Sequence, residues 1–448
     1  MLSWLSKNIV YPLWDLKDGS KKLACLKDLE KSQWQSVNYL QETQWTKLQA
    51  IIAYAYENCP YYKDLFQEKR LSPGDIQHPN DLAKIPILTK KNIHLNLDRL
   101  ITRHSTKADL VATKTGGSTG VPLKLFFDKT CQEIRNAAAM RSDKWAQWDL
   151  GVMKAALWGN PPIADTMKKK LRNLLLDRII YLDTISLDEA SMGSFAQEVK
   201  REKSFVLFGH AHSIFIFAKF FKKNCLTPLT PQGIISTSMM LLPHERQTIE
   251  QVFCCPVFDR YGCEEVGLIA SECEKHEGMH MNIDHLYIEF LKEDGTPALP
   301  GEPGKIIVTD LMNHGMPLIR YRIEDVGIPS EHLCSCGRGL PLMQKVAGRV
   351  ADFLVKKDGS QVSGISLIER TLTATTGIEQ MQIVQNSVDE VILNIVCSAD
   401  YSHENEKLLT KEFRRVFEDG TNIKFNYVQE IPQERSGKYR FSICNVVQ

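Results

Sequence analysis

The chain has 448 residues, of which 43% are hydrophobic and 24% charged, with 55 Lys and Arg against 54 Asp and Glu. This is a globular composition, long enough for about three domains or subdomains, and it excludes a largely disordered, collagen-like or coiled-coil chain. A formal net charge of +1 argues against a general nucleic-acid binder, which carries a basic face.

No run of 18 apolar residues occurs, so no transmembrane helix is predicted. The opening segment lacks the basic start and long apolar stretch of a secretory signal. Its Trp4, Leu5, Ile9, Val10 and Trp14 leave two readings open: peripheral contact with a membrane surface, or a terminal segment docked on the domain. Residues 1–100 read as mainly helical. Trp45, Leu48, Ile52, Ala55 and Tyr56 recur at helical spacing, and Asn58-Cys59-Pro60 ends that helix. From 101 to 280 apolar strand runs alternate with helical patterns. Ala155–Trp158, Phe205–Phe208 and Gly233–Ser236 read as strands. Leu187–Lys203, Ser213–Lys223 and Pro243–Phe253 read as helices. The alternation predicts an α/β fold with a largely parallel sheet. A β-rich part follows over 281–350, with strands at Leu286–Leu291 and Lys305–Leu311. From 351 to 448 the order strand, Asp358-Gly359 turn, helix (366–375), two strands and helix (405–417) predicts a small, mobile α+β domain behind a large one of residues 1–350. Twelve scattered Cys in a chain too long to need stapling predict mostly buried thiols in a reducing, cytoplasmic compartment.

Five stretches carry chemistry. Thr113-Lys114-Thr115-Gly116-Gly117-Ser118-Thr119-Gly120 combines glycines with hydroxyls, a pattern that lets backbone amides approach phosphate oxygens. It lacks the Lys-Ser/Thr of the common NTPase loop. Asp259-Arg260-Tyr261-Gly262-Cys263-Glu264-Glu265 follows a strand and suits nucleotide stacking plus Mg²⁺ binding. Arg320-Tyr321-Arg322-Ile323-Glu324-Asp325 offers a carboxylate for ribose hydroxyls. Gly348-Arg349-Val350-Ala351-Asp352 marks the change of texture. Arg435-Ser436-Gly437-Lys438 places a cation on a Gly-hinged loop near the C-terminus.

In this order and spacing the five resemble the adenylate-forming superfamily of acyl-CoA synthetases, adenylation domains and luciferases. Within it the chain looks like the phenylacetate–CoA ligase-like family, including the branch associated with capsular polysaccharide biosynthesis. The resemblance implies activation of a small-molecule carboxylic acid by ATP as acyl-AMP with release of pyrophosphate, then transfer to a thiol, most often that of CoA. It implies that Thr115, Gly116, Gly117, Ser118, Thr119 and Gly120 hold phosphates and that Glu265 binds Mg²⁺. Tyr261, Gly262 and Ser236-Thr237-Ser238 would flank adenine, Asp325 would hold ribose, and Arg349 would contact ribose or phosphate. Asp352 would be the hinge, and Lys438 would stabilise charge at the α-phosphate. Transfer to a carrier-protein thiol or a sugar, or a non-catalytic nucleotide-binding scaffold, are the rival readings. Monomer and homodimer stay open.

Three details depart from the family or add to it. Glu264 stands where Thr or Ser is usual. Strand alternation predicts that it points away from the triphosphate, toward solvent, Arg260 or Arg320. Cys334-Ser335-Cys336 and Cys273-Glu274-Lys275-His276 can close a Cys₃His Zn²⁺ site, as in some relatives of this branch. His280 competes for the fourth place, and the Cys-x₂-His spacing favours His276. The turn Phe208-Gly209-His210-Ala211-His212 is the candidate acyl pocket, with helix capping by a His as the other reading. Trp145, Trp148 and Trp158 are read as core rather than pocket wall.

Overall fold

The computed structural model describes residues 2–446 apart from 115–122, 160, 163–164, 186, 293, 348–352, 365–366, 369, 372–374, 376, 398–400, 418–419, 432–439 and 441. Helices occupy most of the first 100 residues. Val37–Asn58 is capped by Ser36, whose hydroxyl accepts from the Tyr39 amide. Cys59 is extended, as a residue before proline tends to be, and Pro60 opens the next helix, Pro60–Glu68. The inner face of the long helix buries Leu48, Ile51, Ile52 and Ala55 in the largest core, which these helices share with the antiparallel strands.

One eleven-stranded sheet organises the molecule. Its strand order is Leu286–Leu291, Gly304–Asp310, Tyr321–Pro329, Leu342–Ala347, Met279–Met281, Gly267–Glu272, Val257–Cys263, Ile234–Thr237, Phe205–His210, Met153–Trp158 and Ile179–Asp183. The last five are parallel, and the rest pair antiparallel. The parallel strands are continuous apolar runs because helices cover them, here Glu189–Val199, Ala211–Lys223 and Pro243–Phe253. Phe217, Phe221 and Phe253 lock two of those helices together, with ring centroids 5.0–6.0 Å apart. Each such buried ring contributes roughly 1.5–3 kcal/mol.

A separate four-stranded sheet follows, ordered Asn422–Tyr427, Glu390–Cys397, Ile378–Ser387 and Ser442–Cys444. Helix His403–Phe417 covers it with Leu409, Phe413 and Phe417. The hairpin Phe353–Val355 with Gln361–Ser363 turns at Asp358-Gly359, as expected. The helix expected over 366–375 lies partly outside the described residues. The fold is therefore the expected α/β class, a large mixed sheet with helices followed by a small α+β unit.

Candidate active site

The carboxyl ends of the parallel strands open into a cleft of about 1180 Å³ at the place where the sheet changes from parallel to antiparallel. Open α/β sheets bind ligands at such ends. Thr237, Ser238, Tyr261, Gly262, Glu264, Glu265 and Asp325 all line it. The fold thus brings together three stretches separated by up to 88 positions in the chain.

Tyr261 and Asp325 meet directly. The tyrosine hydroxyl donates to Asp325 Oδ2 at 2.8 Å. Gly262 is required there by close approach: a Cβ would sit 2.7 Å from the Gly267 carbonyl oxygen and 3.0 Å from Leu268 Cα. Ser236 donates to Asp259 Oδ1 at 2.7 Å. Burial, with Glu272 near it, pushes Asp259 up to about 7. Behind it Arg246 grips Glu272 with two 2.8 Å bonds, and the Asp259 amide donates to the same carboxylate. Against the raising effect of its own burial, His276 and Arg246 hold the Glu272 carboxyl below its ordinary value.

Glu265 is buried at the floor. Tyr321 donates to its Oε1 at 3.0 Å, and the Lys90 ammonium lies 3.9 Å away. Arg135 fixes the backbone by donating to the Glu265 carbonyl at 2.6 Å and to Asp310 at 2.7 Å. Sequence reasoning missed Lys90 and Arg135, because neither lies in a Gly-rich or acidic motif.

The expectation for Glu264 is corrected. Residues 264–266 form a turn, not a strand, so alternation does not govern them. Glu264 lines the cleft and accepts from the Thr113 hydroxyl at 3.3 Å. Arg260 is paired with Asp143 and Arg320 with Glu289. Thr113 lies on Val111–Lys114, which pairs with Lys124–Phe127. Of the stretch between them, Thr115, Gly116, Gly117, Ser118, Thr119 and Gly120 lie outside the described residues, as do Arg349, Asp352 and Lys438.

The pocket expectation is also revised. Phe208 and Trp158 line the cleft, whereas His210, Ala211 and His212 are not among its described lining residues. Trp158 packs on His210 at 4.6 Å with the rings tilted by 40° and takes the wall position, while burial lowers the His210 imidazole to about 4. His210 makes no capping bond to helix Ala211–Lys223. His212 bonds Glu245 through Nδ1. Trp145 and Trp148 are core, as expected.

Away from the cleft, Cys273, His280, Cys334 and Cys336 bring one ligand atom each within 4.8 Å of one another. Cys273 and Cys334 sulfurs are 3.6 Å apart, and Cys336 Sγ is 3.3 Å from His280 Nε2. Main-chain amides of Lys275 and Arg338 donate to the Cys273 and Cys336 sulfurs. His280 Nδ1 bonds the Leu340 carbonyl, an orientation that leaves Nε2 toward the thiols. His276, the histidine favoured on spacing, is elsewhere. Its backbone turns at φ +52°, its Nδ1 bonds Glu272 at 3.2 Å, and its ring packs on Phe258 at 4.9 Å.

Comparison with known proteins fits this geometry. The family profile of the CapK C-terminal domain matches residues 354–445. Protein CapK of Staphylococcus aureus is 26% identical over 91% of this chain and 90% of its own length. The phenylacetate–coenzyme A ligase of Thermus thermophilus is 23% identical over 83% and 85%, and that of Escherichia coli K12 24% over 71% and 73%. Among solved structures, a 2-hydroxyisobutyryl-CoA ligase in complex with its acyl-AMP and CoA shares the fold, at a TM-score of 0.58 and 17% identity over 92% and 91%. The chain is thus similar over most of its length to Protein CapK and to phenylacetate–coenzyme A ligases, its residues 354–445 match the CapK C-terminal family, and it shares the fold of the 2-hydroxyisobutyryl-CoA ligase.

Proposed function

We propose that this protein activates a carboxylic acid with ATP and passes the acyl group to a thiol, that of CoA. The observation that supports this most is the convergence of Tyr261, Asp325 and Glu265 on one cleft at the sheet's switch from parallel to antiparallel. In the first step a carboxylate oxygen attacks the α-phosphorus and the bond to pyrophosphate breaks. In the second the thiolate sulfur attacks the acyl carbon and AMP leaves with the bonding pair. Tyr261 stacks near adenine beside Ser236, Thr237 and Ser238. Asp325, oriented by the Tyr261 hydroxyl, accepts the ribose hydroxyls.

Glu265 supplies a hard carboxylate oxygen of the type Mg²⁺ prefers, and the ion when bound offsets phosphate charge. Residues 115–120 cradle the phosphates, Arg349 contacts ribose or phosphate, and Lys438 faces the charge that develops at the α-phosphate. Asp352 is the hinge between a large domain of residues 1–350 and a small one of 351–448. Cys273, Cys334, Cys336 and His280 form a closed soft donor set that fits structural Zn²⁺, with His280 in place of His276. Use of ATP and CoA supports a cytoplasmic location. Among the described residues no helix is long and apolar enough to cross a membrane.

A second reading of the transfer step has a carrier-protein thiol or a sugar take the acyl group. Pyrophosphate release with ATP, Mg²⁺ and a panel of carboxylic acids tests the first step. Release with none of them would leave a nucleotide-binding scaffold. Adding CoA then separates the two acceptors, since thioester forms only if CoA is the acceptor.

A further inference from the structure

We propose that two short helices far from the nucleotide motifs in the chain form a docking surface for an anionic lipid bilayer. The first runs from Leu2 to Lys17 as α-helix, a π turn at Ser6–Val10, and α-helix again. The second runs from Met167 through the π turn Asn173–Asp177. They lie against each other, with the Arg172 guanidinium 5.4 Å from the Trp14 ring and Asp177 close enough to Tyr11 to help burial raise its hydroxyl.

One side of the first helix is fixed to the body of the protein. Ser6 is buried, Lys7 pairs with Asp149, and the Ser3 carbonyl sits where a side chain on Gly151 would go. The other side is apolar and exposed. Leu13 and Leu16 are three residues apart and 61% and 79% exposed. The π turn takes up one extra residue, so Trp4 and Ile9 come onto the same side one turn apart. On the second helix Met167, Leu171 and Leu174 recur at i, i+4 and i+7 and are 78%, 55% and 52% exposed. Seven of the sixteen large hydrophobic side chains exposed among the described residues fall on these two segments. Such clustering marks an interaction surface, whereas apolar side chains scattered singly do not.

Charge selects the partner. Residues 2–22 and 165–177 carry eight Lys and Arg against four Asp, in a chain whose totals are 55 and 54. Lys168, Lys169, Lys170 and Arg172 alternate with the exposed apolar positions of the second helix. Three acidic groups are already engaged in the vicinity: Asp149 with Lys7, Asp165 with Lys169 and Asp177 with Arg172. Exposed leucines and a tryptophan beside lysines form the pattern of a helix lying in the plane of an anionic membrane interface. A bilayer with anionic headgroups meets both features at once, with a counter-charge for Lys168 and Lys170 and an apolar layer for the leucines. This inference is independent of the acid or acceptor used in the cleft.

The full chain is sedimented with vesicles of phosphatidylcholine alone and of phosphatidylcholine with phosphatidylglycerol, at low and high salt. Binding is expected only to the anionic vesicles and should weaken with salt. The Leu13→Ser/Leu16→Ser pair and the Lys168→Glu/Lys170→Glu pair should each reduce binding about tenfold or more, with melting temperature and pyrophosphate release unchanged. If the leucine pair lowers the melting temperature, the lysine pair alone decides. Wild-type protein that stays in the supernatant with anionic vesicles overturns the proposal. So does a wild-type dimer that the leucine pair converts to monomer, since the face would then belong to a second copy.

Discussion

Replacing Glu265 by Gln tests the assignment of the cleft most directly. The change keeps the size of the side chain and removes one negative charge. The Gln amide oxygen can still accept from Tyr321, now at 3.0 Å, and Arg135 still holds the backbone carbonyl, so the turn should keep its shape. Lys90 at 3.9 Å is beyond a tight ion pair, so the stability cost should be a fraction of the roughly 3–5 kcal/mol lost when one partner of a close buried pair is removed. The effect on chemistry should be larger. At an effective dielectric near 20, two unit charges about 4 Å apart interact by about 4 kcal/mol. With divalent Mg²⁺ at ligand distance the interaction is larger than this, and losing about 2.7 kcal/mol of it in the transition state slows the rate roughly 100-fold. The assay is pyrophosphate release as a function of Mg²⁺, with melting measured in parallel. Glu264→Gln is the control. It is more exposed and its contact with Thr113 is long, so the change should stay within about fivefold. Near wild-type adenylation by Glu265→Gln, or a crippled Glu264→Gln beside it, would refute the reasoning and move the Mg²⁺ role by one residue.

Three further outcomes are expected, the first from the C-terminal Gly-Lys motif and the other two from the geometry of the cleft. Lys438→Ala should abolish acyl-AMP formation but spare thioester formation from pre-made acyl-AMP, as measured by separate half-reaction assays. Tyr261→Phe removes the hydroxyl that orients Asp325. A charge-assisted bond of about 1.5–3 kcal/mol should appear as a rise of roughly tenfold or more in KM for ATP with a smaller change in kcat. Gly262→Ala pushes a Cβ against the backbone of Gly267 and Leu268, and should cost about 1–3 kcal/mol in a denaturant titration while also weakening ATP binding.

The parallel half of the sheet was legible because each of its signals is local. Phe205–Phe208 is a continuous apolar run, and Pro243 opens a helix whose observed bounds, Pro243–Phe253, match the expectation. The antiparallel half was less so. Strands such as Met279–Met281 and Leu342–Ala347 owe their existence to pairing across the sheet rather than to their own composition. Glu264 went astray for a related reason. The register shifts between Tyr261 and Gly262, Gly267 takes φ +79°, and the chain turns between them, so a period-2 argument had no strand to act on. The strand-to-helix turn at Phe208–His212 is where the sequence placed it, but of its residues only Phe208 lines the cleft. Which side chain fills the wall depends on Trp158, one strand over, covering His210.

The choice between His276 and His280 shows how the Cys/His cluster and the cleft share one stretch of chain. Spacing selects His276 only if both knuckles are local loops. Instead, strand pairing sets His280 opposite Leu342, beside the loop that carries Cys334 and Cys336, and burial lowers its imidazole to about 4. His276, apart from that cluster, bonds Glu272, which receives the Asp259 amide and the Arg246 guanidinium at the wall of the cleft. Cys273 therefore sits between the Cys/His cluster on one side and the Glu272 network on the other. His280→Ala and Cys334→Ser should each lose bound zinc and lower the melting temperature, because ligand binding energy is folding energy in such a site. His276→Ala should keep one zinc per chain and its melting temperature within a few degrees, yet raise KM for ATP several-fold through Glu272. The two phenotypes separate by metal analysis before any activity is measured. Zinc lost from His276→Ala and retained by His280→Ala would restore the local-knuckle reading and overturn the observed register as the source of the fourth ligand.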